Sequence, residues 1–389
     1  MLFARGLDLP IELEFEVVGM DAGSGTGQLV ADGDRVLLDT GYRFSFSTGR
    51  SPARSLQGRA GDKPVALVGS VWVSSSGAGL LISELRVGSD ELQPRYTAVR
   101  AYFEHGGLAA AYRFEDGAAR SRDTPMSLPA LESARAMKLV YPDTAGAATI
   151  QSNTPAALEE FEIHLAALQD LLSVAEDTPI ERLRLEATGT AGSVVVIHGR
   201  NRFPPFNKPM RKPIEFLLRL GAEYSPTVID RWWRARAELR PVPQILAGIL
   251  YQPGYVESTV IALAAIAQRT ARAQLSVPHA NSFRQGLQAI VDYLGSGVIA
   301  AAKVDPREWQ DHLVWARNDI AHEGAPDSLA GDRFVTDEES RAVRDATRVL
   351  VSLTIAKAIG VPNSVLDRAA ERFGVRYGPR HWSTTIFRR

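Results

Sequence analysis

One stretch of the chain, WARNDIAHEG, places a permanent cation close to an imidazole: Arg317 and His322 are separated by four residues. Histidine is the side chain that exchanges protons near neutral pH, so such a pair can move a proton beside a fixed positive charge. Spacing alone carries little weight. With 38 Arg and 7 His in 389 positions, roughly 0.7 such pairs arise by chance, and the chain holds four. The other three are Arg100 with His105, Arg307 with His312, and Arg376 with His381. Context separates them: the first lies in strand-like sequence, the second begins in the solvated first turn of a helix, and the third sits in a tail broken by Gly and Pro. Arg317 and His322 flank an apolar helical face, Leu313, Ala316 and Ile320, near that helix's end.

Five helical steps set the two side chains about 140° apart, so a straight helix does not bring them onto one face. Arg317 is long enough to bend round, and fraying after Ala321 would turn His322 toward it. A helix C-terminus also favours the protonated imidazole. Taken by themselves, the same residues read first as a capping histidine and a salt-bridged arginine.

Other chemical motifs are weaker. DAGSGTG, residues 21–27, lacks the Lys-Ser/Thr pair of a phosphate loop and is followed by QLVADGDRVLL, which does not read as a helix; a surface loop is expected. His105 and His198 stand in strand-like sequence with no second ligand nearby. There is no His-Glu-x-x-His and no Gly-x-Ser-x-Gly. The chain has no cysteine, which excludes thiolate metal sites, disulfides and thiol nucleophiles. Neither a metal nor a cofactor is expected.

These residues need a scaffold, and the hydrophobic periodicity changes along the chain. The first 150 residues alternate with period two: Ile11, Leu13, Phe15 and Val17; Tyr42, Phe44 and Phe46; then Val65–Val73, Leu80–Val87, Arg95–Phe103 and Met137–Tyr141. A sandwich or half-open barrel is expected. After Asn153-Thr154-Pro155, apolar residues at 158, 161, 165, 168 and 172 predict an amphipathic helix near 154–175, followed by strands at Leu183–Leu185 and Val194–Ile197. A further helix is expected near 226–239, containing Trp232 and Trp233. PVPQILAGILYQPGY, from Pro241, reads as a hinge.

From Tyr255 the pattern is helical. Val256, Val260, Leu263 and Ala264 line one helix; Leu287, Ile290, Val291 and Leu294 line a second. A third opens with Asp305-Pro306-Arg307-Glu308, a cap and first-turn signature, carries Trp309, Leu313, Ala316 and Ile320, and ends at Gly324 and Pro326. A fourth spans about Asp337–Ile359, before a short fifth and a basic tail. The fold class is therefore α+β, with a β-rich domain at 1–240 and a helical bundle at 250–389.

Composition sets outer limits. Lys and Arg total 44 against 45 Asp and Glu, a net charge of −1, and 45% of residues are hydrophobic. Such a chain is neither a basic coat for nucleic acid nor an acidic disordered segment. Met1–Gly19 does not read as a secretory leader, because acids interrupt its apolar stretch, and no long apolar run follows. A soluble cytoplasmic protein without membrane partners is expected.

Arg317-Asn318-Asp319-Ile320-Ala321-His322, at the end of the third helix of an all-α bundle, resembles the signature of HEPN ribonucleases: Arg, four to six residues, then His, often with a polar residue after Arg. Upstream, LEEFEIHLAALQDLLSVAED and VIDRWWRARAELRPVPQILAGILYQPGYVESTVIALAAIAQRTAR resemble ApeA-like bacterial anti-phage proteins, a resemblance covering most of the chain, though residues 1–150 match only in character. One departure lies after Tyr255. Family members often carry a Glu near the middle of that helix, whereas the polar residues here are Glu257, Gln268 and Arg269.

The resemblance implies a metal-independent endoribonuclease of abortive infection. The RNA 2′-hydroxyl attacks the adjacent phosphorus, giving a cyclic phosphate and a 5′-hydroxyl. His322 is the implied general acid or base and Arg317 the group that neutralises phosphoryl charge, with Asn318 and Asp319 in support. A homodimer, bringing Arg317 of one protomer beside His322 of the other, is also implied, as is a phage-derived trigger acting on the N-terminal domain. For the RNA path, Arg368–Arg389 contains six Arg and one Glu, and Arg372, Arg376, Arg380 and Trp382 are the candidate contacts; RNRFPPFNKPMRK, residues 200–212, is a second basic segment. A different class of function, a non-catalytic dimerisation or nucleotide-binding bundle with a ligand-sensing N-terminal domain, fits the same features.

Overall fold

A computed structural model describes all residues other than 1–10, 18–23, 33–34, 40–53, 61, 75–76, 90–93, 105–124, 141–146, 191, 199–224, 253, 280, 322–336 and 382–389. Tyr42–Phe46, His105, the segment 200–212 and the expected stop at Gly324 and Pro326 lie outside the described residues.

The period-two segments form one antiparallel sheet of twelve strands. The first six are β1 (Ile11–Val17), β2 (Ser24–Asp32), β3 (Arg35–Asp39), β4 (Arg54–Ala60), β5 (Lys63–Ser74) and β6 (Gly77–Val87). They pair in the order β3-β2-β1-β4-β5-β6, and a further pairing of β3 with β6, Leu37 with Leu81 and Leu38 with Leu80, closes the ring. The expected surface loop at 21–27 is corrected here. Ser24–Gly27 belong to β2 and pair with Leu13–Glu16 of β1, so the glycines serve a hairpin ladder.

β6 is long enough to belong to two arrangements. Its first half closes the ring, while Leu85, Arg86 and Val87 pair with β12 (Val194–His198). From β12 the sheet continues through β11 (Arg182–Gly189), β7 (Tyr96–Phe103), β10 (Ala148–Ala156), β9 (Met137–Val140) and β8 (Met126–Leu128). Alternation is strict in its centre. Val99, Ala101 and Phe103 on β7 and Leu185 and Ala187 on β11 are buried, whereas Arg100, Tyr102, Arg184 and Glu186 face the other way and are half-buried.

The first helix, α1, spans Leu158–Glu176, later than Asn153-Thr154-Pro155 predicts, because β10 runs on until Ala156 pairs with Tyr96. By contacts the chain divides into two compact units, and the division falls inside α1. Residues up to Ala166, with Ile180–Asn207, form the sheet unit; Ala167–Pro179, with Lys208–Arg389, form the helical unit. The helix at Ser225–Glu238 (α2), grouped by sequence with the N-terminal part, counts with the helices.

The expected hinge at Pro241–Tyr255 is also corrected: Val242–Tyr251 form helix α3 and bury Val242, Pro243, Leu246 and Ala247. Proline in a helix's first turn costs no hydrogen bond, so two prolines there do not break it. The rest of the unit is α4 (Val256–Gln274), α5 (Phe283–Leu294), a short α6 (Ser296–Ala301), α7 (Pro306–Ala321), α8 (Asp337–Ala358) and α9 (Asn363–His381). α4 is central, packing on α3, α5, α7 and α8, while α9 packs on α8 and α6. The last helix has 19 residues, longer than the short one expected. Val365, Leu366, Ala369, Ala370 and Phe373 bury one face, and Gly374 lets that face pass close to the end of α6, where a Cβ would stand 2.6 Å from the Ala301 carbonyl oxygen. No described helix is long and apolar enough to cross a membrane.

Candidate functional site

The candidate site is carried by α7, and its start is held as the sequence predicts. Asp305 Oδ1 accepts hydrogen bonds from the backbone N–H groups of Arg307 and Glu308, each at 2.9 Å. Burial, with the neighbouring Asp305 and Asp311, raises the Glu308 carboxyl above its ordinary range. Trp309, Leu313 and Ala316 are buried. Trp309 Nε1–H donates to Thr347 Oγ1 on α8 at 2.9 Å, and that hydroxyl donates to the Val343 carbonyl at 2.7 Å. Both partners are buried, so this chain of bonds fixes the rotation of α7 about its axis.

A second set of contacts ties α7 to α5, which runs antiparallel beside it. Gln310 Nε2 donates to Gln288 Oε1 at 2.8 Å, and Arg284 pairs with Asp311. The entry to α5 is a complete capping box. Gln285 N–H donates to Ser282 Oγ at 3.3 Å, and Ser282 N–H donates to Gln285 Oε1 at 2.7 Å.

Arg317 is exposed, about one turn before the end of α7, and its Cζ lies 5.0 Å from the centroid of the Phe283 ring at the first residue of α5. Asn318 is half-buried. Asp319 belongs to α7 by its backbone. His322 lies outside the described residues, immediately after the last residue of the helix.

The competing Arg and His pairs fall in different settings. Arg307 is exposed, whereas His312 is buried, its ring edge-on to Trp315 at 5.2 Å. Arg100 is half-buried on β7. Arg376 and His381 both belong to α9. Of the polar residues on α4, Glu257 and Arg269 are exposed and Gln268 is half-buried; Arg269 Nη2 donates to the Glu238 carbonyl at 3.4 Å.

Among the expected RNA contacts, Arg372 is half-buried on α9, and Arg376 and Arg380 follow on the same helix; Trp382 lies outside the described residues. Because the helix continues to His381, the four-residue spacing of Arg368, Arg372, Arg376 and Arg380 sets their backbone positions along one slowly turning line.

Sequence reading did not single out Phe283. It extends the apolar row of Leu287, Ile290 and Leu294 by one turn and so looked like ordinary core. The usable signal was Ser282-Phe283-Arg284-Gln285, a capping box that puts the aromatic ring at a helix entrance. The buried charges Asp170 on α1 and Asp177 just after it were likewise unforeseen; they pair with Arg236 of α2 and Arg348 of α8.

The chain matches no family model, no curated protein and no solved structure.

Proposed function

We propose that the helical unit is a metal-independent endoribonuclease of the HEPN type, controlled by the β-rich N-terminal part and acting against phage in the cytoplasm. The observation that carries this reading is the placement of Arg317: an exposed guanidinium in the last described turn of a helix tied to α8 through Trp309 and Thr347 and to α5 through Gln310 and Gln288, with His322 five residues on in the sequence. Arg317 neutralises charge that builds on the phosphoryl oxygens. His322 takes the proton from the 2′-hydroxyl as its oxygen bonds to phosphorus. The P–O5′ bond breaks, and O5′ receives a proton from an imidazolium, either the same ring or that of a second protomer. Asn318 and Asp319 assist by holding the phosphate and orienting the imidazole. RNA runs along the arginines of α9, and a homodimer sets two such pairs along one cleft.

The test is direct. Arg317→Ala and His322→Ala are each expected to lower cleavage of a mixed RNA substrate by at least about a hundredfold, in line with loss of a general acid/base or an oxyanion partner. Circular dichroism and thermal midpoints are expected to match the parent, and EDTA to leave the rate unchanged. Full cleavage by the His322→Ala protein overturns the assignment. Absence of cleavage in all three proteins, together with a defined nucleotide ligand, supports a binding module instead.

A further inference from the structure

We infer that Phe283 is the positioning residue for Arg317, holding its guanidinium flat so that the N–H edge faces an RNA phosphate. The inference rests on the proposed ribonuclease reading and adds a residue to it. An exposed arginine samples many rotamers, and ordering it when substrate binds costs free energy. Here the guanidinium carbon lies 5.0 Å from the ring centroid, within the range of a cation–π contact. A guanidinium held against a ring by its face keeps its in-plane donors, the ones that grip phosphate oxygens, available.

The backbone that carries the ring is well anchored. Phe283 is the first residue of α5, directly after the Ser282 and Gln285 capping box, and Arg284 beside it pairs with Asp311 of α7. One turn further, Leu287 is fully buried, and Gly286 lies so close to α4 that a Cβ there would come 3.3 Å from that of Ala271. The platform and the arginine thus sit on different helices whose register is set by Gln288, Gln310, Arg284 and Asp311. Phe283 is half-buried.

The test compares Phe283→Leu, which keeps an apolar side chain but removes the π face, with Phe283→Trp, which keeps the face. Two readouts are used on the full chain: the ring-current shift of the Arg317 Nε–H proton by NMR, assigned with Arg317→Lys, and the rate of RNA cleavage. Phe283→Leu is expected to abolish the upfield shift and slow cleavage about two- to fivefold, the value of an exposed cation–π contact. Phe283→Trp is expected to retain both. Phe283→Leu in an Arg317→Ala background is expected to cause no further loss. If Phe283→Leu keeps the parental rate while Arg317→Ala abolishes cleavage, the positioning role is wrong and the ribonuclease reading stands. If Arg317→Ala cleaves like the parent, the ribonuclease reading fails and this inference falls with it.

Discussion

Single side chains in this protein do their work through what surrounds them, and His164 shows how strongly. Its ring is fully buried on α1, with Nε2 2.9 Å from the Arg135 carbonyl oxygen. Burial lowers its pKa below the ordinary 6.5, outweighing the carbonyl and the nearby Glu160. Between the lowered value and 6.5 the unfolded chain binds the proton and the folded chain does not, so stability rises with pH across that window. It is present in full above about 6.5 and is lost as pH falls. Urea midpoints measured at pH 7.5 and 5.0 are therefore expected to drop toward acid, and the drop is expected to shrink in His164→Gln; an unchanged slope contradicts this. Arg317 could be picked out from sequence because its neighbours Leu313 and Ala316 already defined a buried face. His164 could not, since nothing local to it announces a carbonyl supplied from 29 residues away.

Among the elements, α1 departs furthest from its sequence pattern. Leu158, Phe161, Leu165, Leu168 and Leu172 are buried as expected, yet Gln169, Asp170, Ser173 and Glu176, polar residues of an apparently amphipathic helix, are buried too, as is Asp177 just beyond its end. Partners from distant segments explain this. Asp170 pairs with Arg236 and accepts a hydrogen bond from the Tyr251 hydroxyl at 2.7 Å, and Asp177 pairs with Arg348. The side chains of Asp170 and Arg236 retain only 9% and 7% of their exposure, so removing one takes an opposite charge away from a buried ion. Asp170→Leu is expected to destabilise the protein by about 3–5 kcal/mol, and the double change Asp170→Leu, Arg236→Met by much less. Denaturant titration of both variants checks this, and equal losses would refute the pairing argument. Periodicity revealed the bundle helices because each has a sustained apolar stripe. It failed at α3, where prolines looked like breakers but stand in the first turn of a helix, and at the end of α9, where the helix runs on through Gly378 and Pro379 to His381.

At the scale of the whole molecule, the change from period two to period 3.6 foretold a sheet followed by helices. The closure of β3 on β6 and the division within α1 were beyond it, since both depend on pairings between distant segments. Charge carries a similar lesson. A net charge of −1 gives no hint of local concentration, but Arg368, Arg372, Arg376 and Arg380 are gathered on one helix, where the proposed function places the RNA. The central claim is that this molecule cleaves RNA by using the substrate's own 2′-hydroxyl, with Arg317 and His322 as the only chemical equipment required. The most direct measurement is the end-group analysis of its products from an RNA oligomer and from the same oligomer carrying a single 2′-deoxy nucleotide at the cut site. The account predicts a 2′,3′-cyclic phosphate and a 5′-hydroxyl from the first and no cut at the deoxy position in the second. Cleavage at that deoxy position, or products ending in a 5′-phosphate, would contradict it.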